Sequence, residues 1–254
     1  MCLIAWNWQP GSGCPLLLVA NRDEFYARPS AALHAWADAP IVAGRDLQAG
    51  GTWLGVSRSG RLAALTNYRH PSMMRSDAPS RGELVSGFLQ GDASAADYLG
   101  QLKPKAAQYN PFNLLVFDGT HLMGLQSRNK RVLSFAPGVG AVSNADFHTP
   151  WPKLGQLTNG LQSLLAKGPA SQAQLLALLQ DRRPAADADL PDTGIPLALE
   201  RVLSATFIAT PDYGTRACSV LRYTKDHIEF SEHGFDAQGA AGSVTLSLSL
   251  PSLA

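Results

Sequence analysis

Two apolar runs open the chain, residues 3–8 and 15–20, with Pro10-Gly11-Ser12-Gly13 between them. Proline and glycine at that spacing stop a helix and favour a tight turn, so the runs read as the strands of a hairpin. Within the second run, Leu16-Leu17-Leu18-Val19 has no polar residue to show to water. A strand of that kind needs cover on both faces, which commits the chain to a layered fold around a buried sheet. Pairing about the turn midpoint sets Cys2 beside Asn21-Arg22-Asp23, to within a residue or two.

The same reasoning organises the rest. Residues 52–57 and 61–66 flank Ser59-Gly60 as a second hairpin, which sets Asn67 level with Thr52. Residues 113–117 and 122–126 form a third about Asp118-Gly119, with a further strand over 131–135. Helices are expected over 81–89, 93–102, 151–166 and 171–180, the last capped by Ser171. The Pro- and Asp-rich stretch 181–196 reads as a surface loop. Strands are expected again over 204–208, 217–223 and 228–232, and the small, polar tail 239–254 is expected to pack loosely. No linker or repeat divides the chain, so one domain over 1–254 is expected. Doubly covered strands with helices in pairs predict an α+β fold, a four-layer αββα sandwich; a two-domain α+β arrangement is the alternative.

Composition removes several classes of function. The formal net charge of +1 gives no global field for nucleic acid or an anionic membrane. No segment reaches the roughly 18 apolar residues of a membrane span, and the first residues lack the basic stretch of a secretory signal. Cys2, Cys14 and Cys218 are an odd, sparse set that argues against a disulfide framework, and a cytoplasmic protein is expected. The histidines show no metal-ligand spacing, so no metal and no cofactor is expected. Cationic residues are unevenly placed: no lysine precedes Lys103, yet Arg22, Arg28, Arg45, Arg58, Arg61, Arg69, Arg75 and Arg81 all do. Arginine suits bidentate capture of carboxylate or phosphate, and two or three would make an anion site.

Cys2 carries the most chemistry per residue. If Met1 is removed, one residue holds both a thiol and an α-amine of pKa about 7.7–8.0, a nucleophile with its own base. Arg22 beside it would favour the thiolate. Gly50-Gly51-Thr52-Trp53-Leu54-Gly55 is no phosphate loop, since it leads into a strand and no Lys-Ser or Lys-Thr follows. Its glycines make room for close approach of backbone to Cys2 or to a ligand. Asn67 and Asn144 each follow a short apolar strand, where a side-chain amide can donate to a developing oxyanion.

Met1-Cys2-Leu3-Ile4, Ala20-Asn21-Arg22-Asp23-Glu24-Phe25, Gly50-Gly51-Thr52-Trp53-Leu54-Gly55, Leu65-Thr66-Asn67-Tyr68, Arg81-Gly82-Glu83-Leu84-Val85, Tyr109-Asn110-Pro111-Phe112-Asn113-Leu114 and Tyr213-Gly214-Thr215-Arg216 together resemble the NRDE-motif family, which includes the animal transport-and-Golgi-organisation proteins. The resemblance runs in order along nearly the whole chain and implies an N-terminal-nucleophile hydrolase-like fold. By similarity to the choloylglycine hydrolase and penicillin V acylase group, it implies Cys2 as nucleophile and Asp23 as its orienting carboxylate. It further implies Asn67 and Asn144 at the oxyanion and Arg216 as a late arginine. In those enzymes an arginine stands three residues before the aspartate; here that position is Ala20. Asn21, Arg22, Glu24, Gly51, Thr52 and Trp53 are the expected substrate-binding residues. The expected activity is hydrolysis of linear amide C–N bonds on a small-molecule amide or acyl ligand. The alternative is a non-catalytic binding or trafficking protein for acyl-coenzyme A, another lipid or haem, for which His70 and His148 are the histidines nearest the site in sequence.

Overall fold

The computed structural model describes residues 2–250. The two opening runs form β1 (Cys2–Trp8) and β2 (Leu16–Phe25), paired antiparallel with Cys2 opposite Arg22 and Trp8 opposite Leu16. These strands are the interior of a six-stranded antiparallel sheet. Beyond β1 lies β10 (Gly138–Val142); beyond β2 lie β11 (Tyr213–Tyr223), β12 (His227–Asp236) and β13 (Gly239–Ser249), in that order. A second, seven-stranded antiparallel sheet runs in chain order through β3 (Ser30–Ala35), β4 (Ile41–Asp46), β5 (Leu54–Ser57), β6 (Leu62–Asn67), β7 (Phe112–Phe117), β8 (Leu122–Gln126) and β9 (Arg131–Ser134).

Side-chain alternation along these strands divides the core into three apolar layers. Ile4, Trp6, Trp8, Leu16 and Leu18 of the first sheet meet Val56, Leu62, Ala64 and Leu115 of the second. On the far side of the second sheet, Ala63, Leu65 and Leu114 pack against Val85, Phe88 and Leu99 from α1 (Gly82–Gln90) and α2 (Ala95–Leu102). On the far side of the first, Leu3, Ala5 and Val19 pack against Leu157, Leu161 and Leu175 from α3 (Pro152–Leu165) and α4 (Gln172–Leu179). The order is helices, sheet, sheet, helices, the expected αββα sandwich. Ser171 caps α4 as expected, and Gln174 reaches back to complete a capping box. Among the described residues no helix is long and apolar enough to cross a membrane.

Several elements differ from expectation, each for a local reason. Asn21-Arg22-Asp23-Glu24 is strand and not a loop after one, because β11 runs alongside it and pairs Thr215 with Asp23 and Gly214 with Glu24. Residues 204–208 are not a strand. They follow α5 (Leu197–Leu203), and their backbone groups are taken one at a time: the Thr206 carbonyl by Asn21, the Ile208 N–H by Thr215. Residues 239–249 are not loose but pair along β12 as β13; residues 251–254 lie outside the described residues. The strands β3, β4 and β10 carry small residues that mute the alternation from which strands are read. In β10 that smallness is structural, since a Cβ on Gly140 would strike the ring of Trp6.

The lead into β5 touches α1 backbone to backbone. A Cβ on Gly51 would lie 2.6 Å from the carbonyl carbon and 2.8 Å from the oxygen of Gly82, with no flexible side chain to yield. Gly51→Ala is expected to cost about 1–3 kcal/mol, as overpacked cores do. A denaturant titration checks this; an unmoved midpoint at unchanged slope means that loop and helix separate freely.

Candidate active site

At the end of the sandwich where β1 starts and β2 ends, the sheets part to form a cleft of about 610 Å³. Alternation decides what enters it. Even-numbered residues of β1 and β2 face the space between the sheets, so Cys2, Arg22 and Glu24 continue the row of Ile4, Leu18 and Ala20 into the cleft. Odd-numbered residues face the helices, so Asn21 continues the row of Leu17 and Val19, while Asp23, beside the bulge in β11, also borders the cleft. The Asn21 side-chain amide donates to the carbonyls of Leu179 and Thr206 at 2.8 Å each, and Asn21 does not line the cleft. It fastens α4 to the sheet.

Cys2 is 6% exposed. Burial pushes its thiol up to about 11; Arg22 opposes the rise, and Asp23 and Glu24 add to it. Across the cleft Arg81, carried at the start of α1, donates to the Pro111 carbonyl at 3.1 Å. Burial pulls its guanidinium down, with the charges of Cys2 and Glu24 acting against that. The Arg22 guanidinium takes part in no hydrogen bond or ion pair among the described residues, though it projects into the cleft. Arg28, Arg45 and Arg75 also line it, with Arg28 paired to Asp46 at 2.7 Å and Arg45 to Asp38 at 2.9 Å.

Asn67 ends β6 on the opposite wall, half-buried, and its side-chain amide is likewise unengaged among the described residues. Asn144 stands behind it, fully buried and not lining the cleft. Its Nδ2 donates to the Asn67 carbonyl at 2.8 Å, and its carbonyl oxygen accepts from the N–H of Arg69 at 2.7 Å. Ser143 donates both to the Cys2 carbonyl and to the Asn144 side chain at 3.2 Å. The start of β1 and the end of β6 are therefore held in one hydrogen-bonded assembly. Gly51, Thr52 and Trp53 form part of the cleft wall, with the Thr52 hydroxyl bonded to the Leu54 carbonyl at 3.1 Å.

Arg216 sits at a bulge in β11 and borders the cleft, but it is occupied: Nη1 donates to the carbonyls of Phe25, Tyr26 and Arg28 at 3.0–3.1 Å. It clamps the turn that follows β2.

Asp23 accepts from the Thr215 hydroxyl at 2.8 Å. Beside it lie groups that sequence reasoning missed. Lys153, in the first turn of α3, is 2% exposed, and burial pushes it down to about 8 with Asp23 opposing. Arg69 and Glu200 form a buried ion pair at 2.7 Å. Glu232 of β12 also lines the cleft. Its signal is available in the strand, because Ile228 and Phe230 fix the inward face and put the carboxylate next in that row.

This arrangement defines a class: an αββα protein with a cysteine at the head of a central strand, an Asn-Arg-Asp-Glu strand beside it, and an arginine-lined cleft above both. A family model described as Transport and Golgi organisation 2 matches residues 1–237, and the chain belongs to that family. The Transport and Golgi organization protein 2 homologs of Bos taurus and Homo sapiens are each 36% identical, over 91% of this chain and 92% of their own length. Transport and Golgi organization protein 2 of Drosophila melanogaster is 30% identical, over 94% and 95%. Among solved structures, the Caenorhabditis elegans N-acylethanolamine-hydrolyzing acid amidase ortholog covers 87% of this chain and 92% of its own at 10% identity and a TM-score of 0.47. A mutant conjugated bile acid hydrolase from Clostridium perfringens covers 98% and 92% at 12% identity and a TM-score of 0.49.

The raised thiol has a direct consequence in the chain that retains Met1. Thiolate is the species that alkylates, so the rate at Cys2 is expected to climb through neutral pH and level off only near pH 11. Peptide mass spectrometry after timed iodoacetamide exposure separates Cys2 from Cys14 and Cys218. A plateau near the ordinary thiol value of about 8.5 contradicts the burial argument.

Proposed function

We propose that this protein is a cysteine amidohydrolase of linear amides, working in the form that begins at Cys2. One observation carries the reading: a buried thiol at the head of a central strand shares a cleft with an unengaged amide donor, Asn67, and an unengaged cation, Arg22. In the reaction, the Cys2 α-amine takes the proton from Sγ, and the thiolate adds to the amide carbonyl carbon. The Asn67 side chain donates to the resulting oxyanion, and Asn144 holds Asn67 in place from behind. Collapse breaks the C–N bond, and the departing nitrogen receives the proton that the α-amine took. Water then cleaves the thioester, releasing the acid and restoring the thiol. Asp23, fixed by Thr215, orients the amino end of β1, and Arg216 positions the turn after β2. Arg22 and Arg81 favour substrates with a carboxylate or phosphate near the scissile bond.

A second reading shares the scaffold without turnover: a binding protein for an anionic acyl ligand. The high thiol value and the surplus of arginines in the cleft favour it. Acyl-coenzyme A fits the cation-rich wall in charge alone. Haem does not fit through an axial imidazole, because none of the cleft-lining residues is a histidine. His148 instead packs against Trp6, Phe135 and Phe147.

Intact mass sorts preparations into chains beginning at Met1 and at Cys2, and hydrolysis of N-acyl amides is then followed on each. Turnover is expected only from the second. Cys2→Ala should reduce it by about a hundredfold or more, and Asn67→Ala by about 10²–10³ in kcat. Turnover that survives Cys2→Ala overturns the hydrolase reading. Ligand binding that survives Cys2→Ala but is lost in Arg22→Ala, with no turnover in either form, supports the second.

A further inference from the structure

The cleft has an inner end that the proposed chemistry leaves unused. Pairing registers place Cys2 level with Arg22, Arg22 with Ala217, and Ala217 with Gly234, a row that crosses the first sheet. After the guanidinium of Arg22 this row carries only a methyl group and a hydrogen, and it forms a trough. Ala31 and Gly44 of the second sheet line the facing side. One pleat deeper on β12 stands Glu232, 7% exposed. One oxygen accepts from the Leu33 N–H at 2.8 Å. The other has no hydrogen bond or ion pair among the described residues and borders the space that a side chain at position 44 would fill: a Cβ there would lie 3.5 Å from it.

The free oxygen is open to the cleft, so a ligand that displaces water from it has to supply a donor in its place or leave the carboxylate desolvated. Burial pushes Glu232 up, while the Leu33 N–H, Arg22 and His34 act against the rise. Arg22 therefore feels Glu232 but does not pair with it, and the room between them belongs to the cleft. Two strand spacings across the sheet and one pleat along it put their backbones roughly 12 Å apart.

We infer that Glu232 terminates a subsite for a hydrogen-bond donor on the ligand, an ammonium group foremost, while Arg22 takes an anionic group nearer the thiol. The inference deepens the hydrolase reading by naming the substrate class: an elongated zwitterion whose anionic and cationic ends are separated by a flexible spacer. An aliphatic amine of matching length reaches Glu232 through the small-residue trough, and its ammonium supplies the donor that the free carboxylate oxygen lacks. The same group rejects a ligand with an apolar end, because that end would leave the carboxylate desolvated and unpaired.

The test uses 8-aminooctanoate, whose extended length suits the spacing, against octanoate, which shares its carboxylate and lacks the amine. Binding to the full chain is followed by titration calorimetry and by ligand-observed NMR, neither of which needs turnover. The aminated probe is expected to bind about fivefold or more tightly than octanoate to the parent protein. In Glu232→Gln, which keeps an acceptor for the Leu33 N–H, that preference should vanish while octanoate affinity stays within about twofold. In Arg22→Ala both probes should weaken. Equal binding of the two probes to the parent, or a preference that persists in Glu232→Gln, overturns the subsite. A preference that behaves as expected in a protein that hydrolyses no amide keeps the subsite and removes the hydrolase.

Discussion

The register between β1 and β2 is the constraint on which the rest of the site depends. With Cys2 opposite Arg22, thiol and guanidinium share the face that looks toward the second sheet, and Asn21 looks toward the helices. A slip of one residue would exchange the faces, sending Arg22 into the helical layer and Asn21 into the cleft. The sandwich resists that slip because Leu17 and Val19 pack against one layer while Leu16, Leu18 and Ala20 pack against the other. Packing on both sides of β2 thus sets the chemistry at its end.

This also explains what could be read from sequence and what could not. Unbroken apolar runs and glycine turns report layers well, so the sandwich follows from residues 3–20 and the paired helices. Turn midpoints report register only approximately: they put Cys2 opposite Asn21, one residue from its partner, and Thr52 level with Asn67 where the observed pairing extrapolates to Thr66. That single residue separates a side chain in the cleft from one behind the sheet. It is why Asn21, expected at the ligand, ties down α4 instead. Asn144 illustrates a second limit. Its place after a short strand is legible, but its partner is a backbone carbonyl far away in sequence, and no local pattern announces such a bond. Lys153 escapes notice for the same reason, since it looks like a solvated base until the fold encloses it.

Charge in the cleft is arranged by occupation as much as by count. Arg28 and Arg45 have carboxylate partners, and Arg216 spends its donors on carbonyls of the following turn. Those three shape the walls. Among the described residues the Arg22 guanidinium is unengaged, and Arg81 is engaged only through the Pro111 carbonyl. Both stand close to Cys2, so a bound anion would sit near the thiol while the trough toward Glu232 receives the remainder of the molecule.

The last step concerns the proton on Cys2. A thiol pushed up to about 11 is almost wholly protonated at neutral pH, and nearby arginines can stabilise its anion but cannot accept its proton. Glu24 shares the cleft, but one of its carboxylate oxygens is taken by the Phe25 N–H, and its charge disfavours the thiolate. Lys153 is buried in the first turn of α3, and Asp23, which borders the cleft, accepts from Thr215 and by its charge also disfavours the thiolate. An α-amine on Cys2 itself would titrate near neutrality and stay a fixed few bonds from Sγ whatever the rest of the cleft does. On the proposed hydrolase reading, the thiol stands at the one position where processing of the terminus would also create the base, so the same polypeptide would be inert or reactive as an amidohydrolase according to whether Met1 remains.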